Sequence, residues 1–463
     1  MKPLITAIVF HFAFFVTLHT YAQPGTWTWV KGDSVQSVGR FGIKGVPDPA
    51  NEPPSRYACA FWTDTANNFW VFGGVNDWYS TGWLLNDLWK FDPVTQNWTW
   101  MQGDVYQDSL YYPVYAAPKG VFSPLNKPGG DGFGIFTWVT PDNHLWMYGG
   151  YRSHMFGCRL WQYDPAINQW AWMTDSTGYA ANHGTLGVPS PTNSPGQRYE
   201  NNTCWVDSAG DLWMYGGAYI FSINMNLYKD MWKYTRSTGL WTWMSGSNVS
   251  NSLPGSLGTI GVPSVNNYPP GRMSNFFWKE NNGNFRMSGG GRSSTSVGGV
   301  SSFRQDDWRF NPTTLEWTRL NGAGTFDNSP EAWVNHCDTS EENQEGATYE
   351  NRAVWKICDD IVMNYNGGID SFSNSLWAYV TTTHQWIKIS EALYPGRRGT
   401  KGVASPLNFP THRLGPASFK DKQGNLWLFG GWSPIFVTTP YFNDMWKYEV
   451  DSSCFRNFGC LSP

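Results

Sequence analysis

The run Leu426-Trp427-Leu428-Phe429-Gly430-Gly431, followed by Asp444-Met445-Trp446-Lys447-Tyr448, decides the reading of this chain because it recurs. Phe69-Trp70-Val71-Phe72-Gly73-Gly74 leads to Asp87-Leu88-Trp89-Lys90-Phe91, and Leu145-Trp146-Met147-Tyr148-Gly149-Gly150 leads to Leu160-Trp161-Gln162-Tyr163. Leu212-Trp213-Met214-Tyr215-Gly216-Gly217 leads to Asp230-Met231-Trp232-Lys233-Tyr234. Two weaker copies run from Phe285 to Gly290 with Asp307-Trp308, and from Val362 to Gly368 with Leu376-Trp377. The glycine pairs begin at 73, 149, 216, 289, 367 and 430, so six copies repeat every 63 to 78 residues.

Each copy reads as four strands, a to d. In the first these are residues 56–63, 68–72, 88–91 and 98–101, with c–d turns marked by Asp92-Pro93, Asp164-Pro165 and Asn311-Pro312. The d strands carry Trp98/Trp100, Trp170/Trp172 and Trp241/Trp243; period-2 alternation puts both indoles of a pair on one face, against an adjacent unit. Later copies keep the first indole, as Trp317 with Arg319 and Trp386 with Lys388. This pattern resembles the kelch repeat, in which a hydrophobic strand ends in Gly-Gly and a Trp follows on the next strand. The resemblance covers nearly everything after residue 25 and implies an all-β fold, a six-bladed kelch-type β-propeller. It says little about function, because propellers host many unrelated activities.

The sixth copy has no d strand after Tyr448, whereas Trp27-Thr28-Trp29 stands before the first a strand. Its continuation, Lys31-Gly32-Asp33, matches Gln102-Gly103-Asp104. The expectation is that residues 26–30 supply the outer strand of the last blade, closing the ring and removing an open edge. The domain reading is therefore a signal peptide over 1–22, one propeller over 23–450 and a short tail over 451–463. Lys2, the apolar run from Leu4 to Leu18 and the small residue of Thr20-Tyr21-Ala22 form the secretory signal, with a mature start at Gln23 and no other stretch able to span a membrane. The chain is thus expected to be secreted or displayed at the cell surface.

Aromatic residues make up 17% of the 463, with 29 Trp, and charged residues 15%; Gly and Pro are abundant, as short strands and many turns require. A net charge of −4 without a basic stripe argues against nucleic acid. Seven cysteines is an odd number for an exported chain. Cys454 and Cys460 are near enough to bridge, while Cys59 and Cys204, in blades one and three, read as buried thiols. Cys158, Cys337 and Cys358 have no evident mates.

Five a strands begin with Arg: Arg56, Arg198, Arg272, Arg352 and Arg413, each 15 to 18 residues before its glycine pair, and the second blade has Gly132 there. At that place they stand near the mouth of the central channel on the face shared by the b–c and d–a loops. Two readings stay open. A ring of guanidiniums would hold carboxylates or other anions bidentately, as related kelch domains do with arginines around this mouth. Alternatively, each Arg pairs with backbone carbonyls or with an acid of the neighbouring blade. Trp62, Trp138, Trp205, Trp278, Trp355 and Phe419, 11 or 12 residues before the glycines, read as core.

The long d–a connections repeat a Gly-Val segment at Lys44-Gly45-Val46-Pro47, Lys119-Gly120-Val121, Leu186-Gly187-Val188-Pro189, Ile260-Gly261-Val262-Pro263 and Lys401-Gly402-Val403. It looks like that of a subgroup of secreted bacterial kelch proteins, and is expected to be a structural loop folded over the ring. The fifth blade departs, with Glu341-Glu342 and no such segment. His154, His183, His336 and His412 map to the loop face, and His144 and His384 to the opposite one, with no metal-ligand spacing. Trp78, Tyr79, Trp83, Tyr151, Phe221, Trp333 and Trp432 are loop aromatics suited to stacking on sugar rings or to packing the loops.

These features favour a secreted or surface binding module for an extracellular glycan or protein ligand, working through the b–c and d–a face without cofactor or metal. The alternative is a carbohydrate-active enzyme of the kelch superfamily, similar to sialic acid mutarotases or to copper-radical galactose oxidases. The oxidase's Tyr, His and Cys set has no residue-by-residue match here, so no catalytic residue is assigned. A third reading is a building block of a larger surface assembly.

Overall fold

A computed structural model describes residues 24–77, 83–105, 112–132, 134–150, 158–174, 180–199, 203–221, 224–249, 255–292, 302–303, 306–322, 331–345, 353–365, 374–391, 396–433, 441–455 and 458. Residues 1–22, the expected signal, lie outside them, as do Arg352, Cys460, His154, Trp78, Tyr79 and Tyr151 and the side chains of Trp83 and Phe221.

Six four-stranded antiparallel sheets form a six-bladed β-propeller. Blade one consists of Ala60–Thr63, Phe69–Phe72, Leu88–Asp92 and Asn97–Gln102. Blade two is Phe136–Val139, Leu145–Tyr148, Trp161–Asp164 and Gln169–Trp172. Blade three is Cys204–Val206, Leu212–Tyr215, Lys229–Thr235 and Leu240–Ser247. Blade four is Phe276–Lys279, Phe285–Ser288, Asp307–Asn311 and Glu316–Asn321, and blade five Ala353–Lys356, Ile361–Tyr365, Leu376–Val380 and Gln385–Ser390. Blade six combines Ala417–Lys420, Leu426–Trp432 and Tyr441–Glu449 with the N-terminal Thr26–Lys31, whose Trp27 opposes Tyr448 and whose Trp29 opposes Trp446. The ring is closed as the tryptophan pair required. Asp33 repeats the role of Asp104: their N–H groups donate to Asn443 and Asn86 Oδ1, each at the start of strand c.

The core is distributed. One apolar cluster fills each of the six junctions between neighbouring blades, because every b strand is buried on both faces. The a-strand tryptophans also stitch blades together: Nε1 of Trp62, Trp138, Trp205 and Trp355 donates to the carbonyls of Trp146, Trp213, Trp278 and Phe419 in the next blade, each at 2.9 Å. The described glycine pairs have φ between 64° and 110°, where an L side chain is strained, so the sequence repeat is a backbone requirement.

The Gly-Val segments do not fold over the ring. Each lies along the outer edge of its own blade as a clasp of about a dozen residues, closed at its base by the bridges Arg40↔Glu52, Val114↔Lys127, Asn182↔Ser194, Ser256↔Tyr268, Ala332↔Gln344 and Arg397↔Phe409. The N–H of Gly45, Gly120, Gly187, Gly261 and Gly402 donates to the d-strand carbonyls of Trp100, Trp172, Trp243, Arg319 and Trp29 at 2.8 Å. An Asn further along each clasp (Asn51, Asn126, Asn193, Asn267, Asn343 and Asn408) donates through Nδ2 to the carbonyl of the first d-strand Trp. The outer strand, which would otherwise offer an unpaired edge, is thereby occupied.

The fifth clasp follows the same path with Cys337 (φ 64°) in the glycine place. Cys337 is disulfide-bonded to Cys454, a link across 117 positions that ties the tail to blade five; Cys454 therefore does not take Cys460. Cys358 is disulfide-bonded as well. Cys59, Cys158 and Cys204 are buried, and burial pushes the thiols of Cys59 and Cys204 up to about 12.

Trp27 is 1% exposed and meets Tyr365, Trp446 and Tyr448, so it seals the junction of blades five and six. Trp27→Ala is expected to cost about 3–5 kcal/mol in denaturant unfolding, with Trp27→Phe milder; an unchanged unfolding midpoint in the alanine variant would exclude this closure.

Candidate functional site

The a strands start later than the sequence pattern implied: in blade one the strand begins at Ala60, which leaves Arg56 in the approach to it. Strand alternation therefore does not govern where its side chain points. Arg56, Arg198, Arg272 and Arg413 are at most 1% exposed. Each guanidinium meets the Asp two residues before the c-strand Trp of its own blade, not an acid of the neighbouring one. Arg56 donates to Asp87 at 2.9 and 2.7 Å, Arg198 to Asp230 at 2.9 and 3.2 Å, Arg272 to Asp306 at 2.7 Å twice, and Arg413 to Asp444 at 2.5 and 3.0 Å. The same guanidinium donates to the first glycine's carbonyl, at Gly73, Gly216, Gly289 and Gly430, each at 2.9 Å. The Asp also accepts from the Trp indole: Trp89, Trp232, Trp308 and Trp446 donate at 2.7 to 2.8 Å.

This lock takes up the donors that a ligand would have used. A buried ion pair is tolerable when its remaining hydrogen-bonding capacity is met, and here the glycine turn and the indole meet part of it, while the carbonyls of Pro54, Pro270 and Thr411 take Nε of Arg56, Arg272 and Arg413; Nε of Arg198 has no partner. The main chain of the same Arg serves the ring: the N–H of Gly150, Gly217 and Gly431 donates to the carbonyls of Arg198, Arg272 and Arg56 in the following blade. In blade three His183 adds its ring nitrogen, 2.8 Å from Asp230. Burial works against the charge of Asp230, but Arg198 and the His183 contact outweigh it, and the carboxyl lies well below the usual range. Asp444 is lowered in the same way, burial being overcome chiefly by Arg413.

Blade two breaks the pattern. Gly74 N–H donates to the carbonyl of Asp131, so Asp131, and not the expected Gly132, occupies the Arg place. Asp131 stands seven residues before Trp138, as Arg198 stands seven before Trp205. At the other end Arg159 takes the Asp place, two residues before Trp161 as Asp87 is before Trp89. The two charges are exchanged. Arg159 lays its guanidinium over Tyr115 (3.9 Å to the ring centroid) and Trp172 (4.9 Å), and its buried Nε has no hydrogen-bond partner. Asp131 Oδ1 accepts the Gly132 N–H at 2.8 Å. A cavity of about 40 Å³ lies here, lined by both residues together with Tyr115, Pro128, Tyr148 and Trp161 among others. It opens where strand b ends and strand c begins, beside the d–a connection, and so belongs to the face on which a site was expected.

Blade five departs differently. Ser375 stands in the Asp place and donates to Glu331 at 2.8 Å, and the buried Lys388 sits 2.8 Å from Glu331, 3.0 Å from Glu391 and over Trp333. Trp432 packs on Tyr57, a structural use of one expected loop aromatic. Among the described residues no cluster of three or more His, Cys, Asp or Glu could hold a metal ion. The exchange in blade two was visible in the sequence as Arg159-Leu160-Trp161 against Asp87-Leu88-Trp89, but only once the residue before each pair is aligned. No protein-family model and no curated protein matches the chain.

Removing one partner of a lock leaves the other charge buried. Arg272→Met is expected to lower stability by about 3–5 kcal/mol, read by denaturant unfolding, and a variant as stable as the parent would show that the pair is not needed. The depressed carboxyls give a pH dependence. Folded Asp230 and Asp444 titrate below the unfolded value near 4, so their contribution is complete above that value and is lost as pH falls. Melting temperature should drop on acidification below about pH 4, and Asp230→Asn should flatten that slope; an equally steep profile in the variant would exclude this origin.

Proposed function

We propose that this chain is an exported kelch-type propeller that serves as a binding module for an extracellular glycan or protein ligand. The observation that carries the reading is the cavity of blade two, opened on the b–c and d–a face where four other blades bury an Arg–Asp lock. A rigid ring with a polar, aromatic-walled recess among its loops is built as recognition surfaces are. The disulfide between Cys337 and Cys454 supports export, since such bonds form and persist in oxidising compartments. Among the described residues no helix is long and apolar enough to cross a membrane. A mutarotase-like enzyme would need a few Arg, His and Glu groups at the channel mouth, and four of the five arginines there are buried in ion pairs, so these lend it no support.

A glycan-array screen of the purified protein tests the reading. Selective retention on one class of glycan is expected; no retention on any glycan would remove the glycan ligand and leave a protein partner.

A further inference from the structure

The clasps differ in charge, and from that difference we infer that two copies of this chain dock edge to edge through blades five and six. The inference does not depend on what the module binds. The fifth clasp with its flanks, residues 331–345, exposes Asp338, Glu341 and Glu342. Its own ion pair, Glu331 with Lys388, lies beneath the surface, and among the described residues the three exposed carboxylates have no cation to meet. The sixth clasp, residues 397–409, exposes Arg397, whose guanidinium holds no other described group, and Lys401, whose ammonium donates to the Gly32 carbonyl at 2.6 Å while the residue stays at the surface. Arg398 turns inward, 3.8 Å from Asp444, and takes no part. The third and fourth clasps, 182–194 and 256–268, contain no Asp, Glu, Lys or Arg, and the first mixes both signs. An acidic and a basic clasp therefore stand side by side at blades five and six. Both also expose apolar surface: Trp333 (40%, with Lys388 under one face of its ring) and Val334 (51%) on one, Val403 (52%) and Leu407 (38%) on the other. Every residue of the two segments except Asn343, Glu345 and Asn408 keeps some surface, which supplies the roughly 20–30 residues a side of a standard interface.

Symmetry selects the partner. A two-fold axis parallel to the ring axis, set just outside the junction of blades five and six, puts the fifth clasp of each copy against the sixth clasp of the other. One operation makes both contacts, so this edge is complementary to itself and the assembly closes at two. Docking the fifth clasp on the second, which is basic through Lys119 and Lys127 but lies across the ring, would make each contact once and grow an open chain. Exposed charges add little affinity singly; they set the register and exclude like-to-like approach, while burial of Trp333, Val334, Val403 and Leu407 drives association. Because the axis is parallel to the ring axis, the b–c and d–a faces of both copies point the same way. The dimer thus presents two loop faces to one surface or polymer, where the first engagement raises the effective concentration for the second.

Sedimentation velocity of the purified protein, over a range of concentrations at low and high salt, tests the inference. Two variants accompany it. Glu341→Lys/Glu342→Lys makes the fifth clasp basic, and Arg397→Glu/Thr400→Glu makes the sixth acidic; all four positions are exposed, and thermal melting checks that each variant folds. Where a double change lowers the melting temperature, the single changes Glu342→Lys and Arg397→Glu give the same readout. The parent is expected to dimerise, less tightly at high salt, and each variant alone to dimerise about tenfold more weakly or worse. Mixed, the two variants are expected to pair with each other, because the altered clasps now match and the unaltered ones keep their original match. A parent that stays monomeric overturns the inference. So does a dimer that both variants form as tightly as the parent, a mixture without heterodimer, or association that continues past two copies.

Discussion

A guanidinium removed from water must have its donors met, and in this propeller that demand links two levels of structure. The side chains of Arg56, Arg198, Arg272 and Arg413 are each met inside their own blade by an Asp and a glycine carbonyl. The backbone carbonyls of Arg56, Arg198 and Arg272 meanwhile take the N–H of a glycine in the preceding blade. One residue therefore fixes the turn within a blade and the spacing between blades. The c-strand Trp is aimed by the same Asp, so the indoles that fill the junctions are oriented by a polar contact at their rim. Taking the Arg away would disturb ion pair, turn and junction together.

What the sequence made legible follows from which requirements only certain residues meet. Gly-Gly marks a positive-φ turn that other side chains resist, and Trp marks a volume that few residues fill; both survive divergence enough to be counted. Blade closure by residues 26–31 was readable because Trp27 and Trp29 occupy the same alternating places as Trp98 and Trp100. The direction of Arg56 was not, since it precedes the strand and no periodicity constrains it. Asp131 was hidden by one residue: blades two and three space this position seven from the a-strand Trp, while blades one and four space it six from Trp and blade six spaces it six from Phe419. The Cys337–Cys454 bond joins positions 117 apart, a proximity that exists only after blades five and six have docked.

Function in such a ring is a matter of exceptions. Four blades spend their polar groups on themselves, and their uniformity makes the exchanged pair of blade two conspicuous. Blade five is the other exception, with Lys388 buried at the second d-strand position and Ser375 in the Asp place, but there Lys388 meets Glu331 from the base of the clasp. The departure in blade five is filled by its own ion pair, whereas that in blade two borders a recess.

The clasps carry a consequence for how the ring meets its surroundings. Gly45, Gly120, Gly187, Gly261 and Gly402 have φ between 74° and 80°, and a Cβ at any of them would have no atom within 4 Å. They are held to glycine by backbone angle alone, and Cys337 shows that the sixth such place accepts a side chain and a covalent bond. The outer edges of these blades therefore each carry a place where a side chain would meet open space. A side chain at such a place meets no neighbour and can be tied to a second segment, as Cys337 is to Cys454, at the cost of a positive φ.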